Sequence, residues 1–141
     1  GTDISLNALK VANKNFKKLK LNHRSRLINT NWSESIKNNY FNIITCNPPY
    51  IDDRYIKNLP KEVKNHEPLI ALKGGINGLD SMKNLLPSAR RVITTDGLLV
   101  LEIGYDQSQK IGNILNNNKF TLKEMIKDLS GNYRVVIAKP I

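Results

Sequence analysis

Asn47-Pro48-Pro49-Tyr50 is the stretch of this 141-residue chain best equipped for chemistry. Asn47 offers a side-chain carbonyl and Pro48 a backbone carbonyl, and the two prolines hold the backbone nearly rigid by fixing φ. Two acceptors at a fixed spacing match the two hydrogens of a planar NH2 group. Tyr50 adds a ring face on which a planar group stacks. The tetrapeptide therefore suits a substrate whose reacting atom is an amide or an aromatic amino nitrogen. Such a nitrogen is a poor nucleophile because its lone pair is delocalised. Accepting both hydrogens returns electron density to it and fixes its direction, and the carbonyl dipoles favour positive charge developing there. What remains is to place a strong electrophile in line, a positioning problem. Taken alone, the same four residues also describe a turn that ends a strand, followed by an exposed aromatic.

The surrounding elements decide between these readings. Phe41 to Cys46 is an apolar run that stops at Asn47-Pro48. Proline lacks a ladder donor and biases its predecessor toward extended backbone, so a buried strand is expected to end there. Ser5 is a plausible helix N-cap. After it Leu9, Ala12, Phe16 and Leu19 form one apolar stripe, with Lys10, Lys14, Lys17 and Lys18 on the solvated side. Arg26 to Ile28 is a weaker strand candidate, and residues 50 to 80 read as a long loop with helical turns. Met82, Leu85, Leu86, Ala89 and Val92 have helical spacing, which Pro87 is expected to kink or to start late. Asp96-Gly97 predicts a turn, and Leu98 to Leu101 a strand buried on both faces. Ile111, Ile114 and Leu115 suggest a further helix, and Phe120 to Ile126 and Tyr133 to Ala138 two final strands. Alternating elements with doubly buried strands imply an α/β fold with a largely parallel sheet. Ligands of such sheets bind outside the carboxyl ends of the strands. Asp3, Asn47 and Glu102 stand at three such ends.

Composition narrows the class. Lys and Arg number 22 against 12 Asp and Glu, a net charge of +10, and 40% of residues are hydrophobic, so a core is expected. One cysteine, Cys46, excludes an internal disulfide framework, and nothing resembles a membrane span or a signal segment. A soluble, cytoplasmic setting is the expectation. The 19 asparagines beside abundant Lys and Ile point to a codon bias as the main source of the charge. His23 and His66 have no partners at metal-ligand spacing, so no metal is expected. Cys46 reads as a buried structural thiol with nothing nearby in sequence to lower its pKa. Asp52-Asp53 reads as a solvated loop.

Asn47-Pro48-Pro49-Tyr50-Ile51 is followed by Glu67-Pro68, Ala71-Leu72, Gly74-Gly75, Gly78-Leu79-Asp80, Leu101-Glu102-Ile103-Gly104, Gln107, and then Asp128, Gly131 and Arg134. This ordered set resembles the release-factor glutamine methyltransferases, from Thr2 to about Ala138. Asn-Pro-Pro-Tyr by itself is shared with adenine-N6 methyltransferases of DNA and RNA. The resemblance implies a Rossmann-like, class I S-adenosylmethionine-dependent fold with strand order 3-2-1-4-5-7-6. It also implies methyl transfer to the side-chain amide of the Gly-Gly-Gln glutamine in class 1 peptide chain release factors. In that family pattern Asn47, Pro48, Pro49 and Tyr50 form the catalytic motif. Asn47 and the Pro48 carbonyl would bind the amide, with Tyr50 packed against it. Asp3 would accept from the cofactor ribose, with Asn31, Trp32 and Asn47 as further cofactor contacts. Asn31, before Trp32, stands where the acid that contacts adenine is usual, and its neutral amide departs from the pattern. Glu67 is assigned to the substrate mouth.

The family's glycine-rich cofactor turn between first strand and first helix has no counterpart here. Gly74-Gly75-Ile76-Asn77-Gly78 follows a loop in this reading, whereas the fingerprint requires a strand before it and a helix after it. Residues 1–141 are thus expected to be the C-terminal portion of one catalytic domain, incomplete at its N-terminus, without the cofactor loop or the helical substrate-binding domain. The strand at 26 to 28 is then expected to lack its normal neighbours, and the strand at 41 to 46 to expose an apolar edge. Weak cofactor binding by the isolated chain follows. Two alternatives remain. One is adenine-N6 methylation of RNA or DNA, which the basic charge favours but the Glu67 to Asp80 segment does not. The other is a fragment with no catalysis of its own.

Overall fold

The computed structural model describes residues 1–141, which divide into two units, Gly1–Lys37 and Asn38–Ile141. In the first unit the strand β1 (Thr2–Asp3) leads into helix α1 (Leu6–Lys18). Ser5 caps the helix as its hydroxyl predicts, Oγ accepting from the Ala8 amide at 3.2 Å. Lys17 and Lys18 lie in the last turn, where cations oppose the helix dipole. Leu9 is buried and Ala12 and Phe16 are half-buried, but Leu19 lies past the helix end and is exposed. The predicted stripe is therefore one residue too long. β2 (Ile28–Asn29) pairs in parallel with β1. The expectation that this strand lacks a partner is corrected: Thr2 and Asp3 supply two residues of ladder, and Asn29 Nδ2 ties the junction by donating to the Asp3 and Ile4 carbonyls.

The second unit begins with β3 (Phe41–Cys46), which has the predicted bounds. It is followed by β4 (Ile51–Asp52), a 3-10 turn at Asp53–Asn58, α2 (Lys61–His66), α3 (Leu69–Leu72) and β5 (Lys73–Gly75). β4 and β5 form a small parallel pair, which the reading of 50 to 80 as loop and helical turns missed because each strand is only two or three residues long. A second 3-10 turn, Ile76–Gly78, leads into α4 (Asp80–Val92) and β6 (Ile93–Glu102). α5 (Ser108–Asn117), β7 (Phe120–Lys127) and β8 (Tyr133–Pro140) complete the unit.

The main sheet runs β3-β6-β8-β7. Only β3 and β6 are parallel; β6–β8 and β8–β7 are antiparallel, so the expected largely parallel sheet is corrected to a mixed one. The reason is local. β7 and β8 are joined by a tight turn at Asp128–Asn132, closed by the Asp128 amide on Asn132 O at 2.8 Å, and a short turn can only return antiparallel. β3 lies at the sheet edge with Ile43 60% exposed, which agrees with the expected apolar edge and corrects its reading as a buried strand. Within the second unit, the order β3-β6-β8-β7 matches the 4-5-7-6 part of the expected strand order.

Two further expectations give way to packing. α4 runs unbroken through Pro87. The exposed proline forgoes one donor, while Met82, Leu85, Leu86, Ala89 and Val92 bury the opposite stripe. Asp96-Gly97 is a bulge within β6 and not a turn: from Phe41↔Ile93 to Ile43↔Leu98, β3 advances two residues while β6 advances five. Gly97 is required there, since a Cβ would stand 2.5 Å from Ile93 Cγ1 and 3.1 Å from the Asn42 carbonyl. Beyond the bulge, Leu99 and Leu101 are fully buried and meet Ala138 and Val136 across the antiparallel ladder. Phe120, Ile111 and Leu115 belong to the same core.

Leu101 sits where the parallel and antiparallel ladders of β6 meet. Leu101→Ala is expected to cost about 2–5 kcal/mol through lost transfer energy and a cavity. Urea unfolding checks this, with the midpoint falling and the slope unchanged.

Candidate active site

The residues after β3 stand at the carboxyl end of the β3–β6 parallel pair, where α/β sheets place ligands. Asn47 is exposed and Pro48 buried, so the acceptor-bearing side chain projects from a rigid, packed turn. Thr45, Cys46, Asn47, Val100, Glu102 and Val135 line a cleft of about 270 Å³. Cys46 pairs with Leu101, so the next register position sets Asn47 beside Glu102. A larger open cavity of about 520 Å³ lies at the opposite ends of these strands, lined among others by Asn38, Arg90 and Lys119, and holds none of the predicted site residues.

Tyr50 is held at three points. Its hydroxyl donates to Glu102 Oε1 at 3.2 Å. The Arg134 guanidinium lies over its ring, 5.8 Å from the centroid, a cation–π arrangement. Its carbonyl accepts from Gln107 Nε2 at 3.3 Å. Burial first, and then the Glu102 carboxylate, push the Tyr50 phenol above its ordinary pKa, while Arg134 pulls the other way. Arg134 is itself fixed, donating Nη1 to the Ile103 carbonyl at 3.0 Å and lying 3.5 Å from Asp128 Oδ2. Asp128 Oδ1 accepts from the Ser130 and Asn132 amides, and these contacts hold its carboxyl below the usual range.

Gln107 is 2% exposed and joins three loops. Besides Tyr50 O, its Nε2 donates to the Gly78 carbonyl at 2.9 Å, and its Oε1 accepts from the Gly104 amide at 2.8 Å. Gly78, with φ +67, packs so closely on Tyr50 that a Cβ there would collide with the Tyr50 carbonyl. Gly74 and Gly75 lie within the three-residue strand β5 itself, with α3 before it and α4 after the segment, so the reading of this stretch as loop is corrected in part. Its space is nonetheless filled by the Tyr50 backbone.

The acidic pair after Tyr50 is structural. Asp52 is buried, not solvated, and takes a bidentate contact from Arg54, with Nη2–Oδ2 at 2.6 Å and Nε–Oδ1 at 3.0 Å. Arg54 reaches on to Asn77 Oδ1, and Asp53 Oδ1 accepts from the Gly75 amide. Both aspartates thus fasten the turn behind Tyr50. Cys46 is half-buried, and burial pushes its thiol up to about 11. Glu67 lies exposed at the end of α2, with no hydrogen bond to residues 47–50.

In the first unit, Asp3 ends β1 half-buried and its Oδ1 accepts from the Ser5 amide at 2.7 Å. Asn31 is exposed and donates Nδ2 to Glu34 Oε1 at 2.8 Å, which leaves its carbonyl as the available acceptor. Trp32 follows with φ +48. Sequence reasoning named Asn47 and Tyr50. Glu102, Gln107, Asp128 and Arg134 belong to the ordered motif, but their roles around Tyr50 come from the contacts.

Comparison with known proteins points to methyltransferases. A family model described as "Methyltransferase small domain" matches residues 1–64. The release factor glutamine methyltransferase of Caulobacter vibrioides is 40% identical over 137 residues, covering 97% of this chain and 47% of that protein. The chain is similar to release factor glutamine methyltransferases along nearly its whole length. It spans about half the length of these relatives. The bifunctional methyltransferase of Rickettsia felis is 36% identical over 140 residues, 99% of this chain and 27% of that protein. Among solved structures, the ribosomal protein L11 methylase of Lactobacillus delbrueckii subsp. bulgaricus has a TM-score of 0.65 at 19% identity, covering 99% of this chain and 55% of that chain. A putative rRNA-methylase of Clostridium thermocellum has a TM-score of 0.60 at 16% identity, covering 100% and 71%. These two share the fold. Together they place the chain in the Rossmann-like, class I methyltransferase fold.

Two measurements check the site's framework. Gln107→Ala leaves the Gly104 amide and the Gly78 and Tyr50 carbonyls without their partner, and is expected to cost about 1–3 kcal/mol. Urea unfolding reads that loss, and faster hydrogen exchange at Gly104 localises it. Asp52 is held down to about 2 by Arg54, so its contact persists above the unfolded carboxylate value of about 3.9 and is lost as pH falls through about 2. Carboxyl-carbon NMR should show that midpoint, and Arg54→Gln should raise it toward about 4.

Proposed function

We propose that this chain carries the amide-recognition half of a protein-glutamine N5 methyltransferase whose substrates are class 1 peptide chain release factors. The observation that carries the reading is the Asn47-Pro48-Pro49-Tyr50 turn itself: an exposed Asn47 amide that lines a cleft, on a rigid turn whose Tyr50 is held at hydroxyl, ring face and backbone. In this reading Asn47 Oδ1 and the Pro48 carbonyl accept the two N–H bonds of the Gly-Gly-Gln glutamine amide, and Tyr50 stacks on its plane. Holding both hydrogens in plane leaves the nitrogen lone pair directed out of it, toward the electrophile. Pro49 keeps the turn rigid. Glu67, on the exposed segment between α2 and α3, serves the substrate mouth.

S-adenosylmethionine, when bound, supplies an electrophilic methyl group. The donor set of the first unit fits its nucleoside part. Asp3 retains a carboxylate oxygen of the kind ribose hydroxyls require, and the Asn31 carbonyl accepts from an amino group without carrying charge, with Trp32 adjacent. The 141 residues alone are proposed to bind the cofactor weakly, because they offer no backbone cradle of glycines: Gly74 and Gly78 are packed against Tyr50. The names of the relatives support the choice of an amide over an adenine, and so does a carboxylate as the cleft's one charged side chain.

The test is transfer of radiolabelled methyl to a class 1 release factor, with its loop glutamine intact or replaced, and to RNA. It uses this chain alone and the longer protein that contains it. Label is expected on the intact release factor only. Asn47→Ala should lower the rate about 10²–10³-fold, the scale of losing one positioned acceptor or donor. Label in RNA would overturn the reading.

A further inference from the structure

The contacts around Tyr50 come from outside the tetrapeptide, and their arrangement has a consequence for what the cleft accepts. Glu102 ends β6, one register step beyond Leu101, and faces the same cleft as Asn47. Its Oε1 takes the Tyr50 hydroxyl, which fixes the tip of the ring. Arg134 covers one ring face and is locked by the Ile103 carbonyl and Asp128. Gln107 fixes the Tyr50 backbone. A phenol held at hydroxyl, face and backbone has one ring face left to offer.

We propose that Glu102 and Arg134 are positioning residues for the transfer reaction, acting through Tyr50: together they set its ring so that a single face presents to a neutral planar amide beside Asn47. The proposal rests on the amide reading given above. Neither residue belongs to the Asn-Pro-Pro-Tyr motif, and 52 positions of sequence separate Tyr50 from Glu102. Their placement is mutual. Glu102 pulls on the hydroxyl and Arg134 presses on the ring, so removing either frees a different motion of the same side chain. The raised phenol pKa is consistent with this arrangement, because Glu102 favours the neutral hydroxyl as donor.

The experiment uses the 141-residue chain with carbon-13 in the tyrosine rings, in which the Tyr50 signals are assigned by Tyr50→Phe. Glu102→Gln, Arg134→Met and Arg134→Lys are compared with the native chain at neutral pH, and each is titrated with N-acetylglutamine methylamide and with its glutamate counterpart. Glu102→Gln and Arg134→Met are expected to move the Tyr50 ring signals while the other four tyrosines stay in place. Both are also expected to weaken the glutamine probe about tenfold, the scale of one charge-assisted contact. Arg134→Lys keeps the charge without the planar group and should recover part of the loss. The glutamate probe should not bind. Native ring signals and native probe affinity in both Glu102→Gln and Arg134→Met would overturn the proposal. Ring signals that move as expected in a native chain that no amide titrates would overturn the amide reading instead, while the holding of the ring stands. Glu102→Gln keeps the side-chain volume, so it remains decisive should Arg134→Met fail to fold.

Discussion

The immobilisation of Tyr50 is the constraint on which the rest of the second unit depends. A tyrosine on a loop end loses side-chain freedom at a cost of order 1 kcal/mol, which must be offset by contacts from elsewhere. Here three separate segments supply them: the 76–78 turn with Gln107 behind the carbonyl, the end of β6 at the hydroxyl, and the start of β8 at the ring face. Each hydrogen bond contributes only about 0.5–1.5 kcal/mol net. Their effect comes from convergence, since backbone, hydroxyl and ring face of one residue are each held by a different segment.

This constraint explains residues that otherwise look incidental. Gly78 must lack a side chain because the Tyr50 carbonyl occupies the place of its Cβ. Asp80 holds the same turn, its Oδ2 accepting from the Ile76 amide while Oδ1 pairs with Lys83. Asp52, Arg54 and Asn77 form a chain of contacts from β4 to that turn, and Asp53 adds the Gly75 amide. At the other side, the Asp128–Asn132 turn both reverses β7 into β8 and anchors Arg134, so the hairpin that makes the sheet mixed also delivers the guanidinium.

How much of this was legible follows from the range of each determinant. β3 was read to the residue because an apolar run ended by two prolines is a local signal, and Ser5 because a cap is read from a few neighbours. Sheet direction, the β6 bulge and the straight passage of α4 through Pro87 are set by partners far along the chain, so local patterns misread them. β4 and β5 are too short to carry periodicity at all. At the site, Asn47 and Tyr50 were named from side-chain chemistry. Gln107 and Arg134 show no chemistry in sequence; a buried glutamine and a paired arginine acquire meaning only from what they touch.

Net charge makes the same point about substrate. A charge of +10 suggests a polyanion when read as a sum. In place, the four lysines of α1 lie on its exposed sides, Arg54 pairs with Asp52 and Arg134 lies against Asp128. The cleft beside Asn47 has one charged lining residue, and it is a carboxylate. A phosphate brought there would face repulsion from Glu102, whereas a neutral amide offers N–H groups to acceptors. The charge lining this cleft is thus opposite in sign to the total.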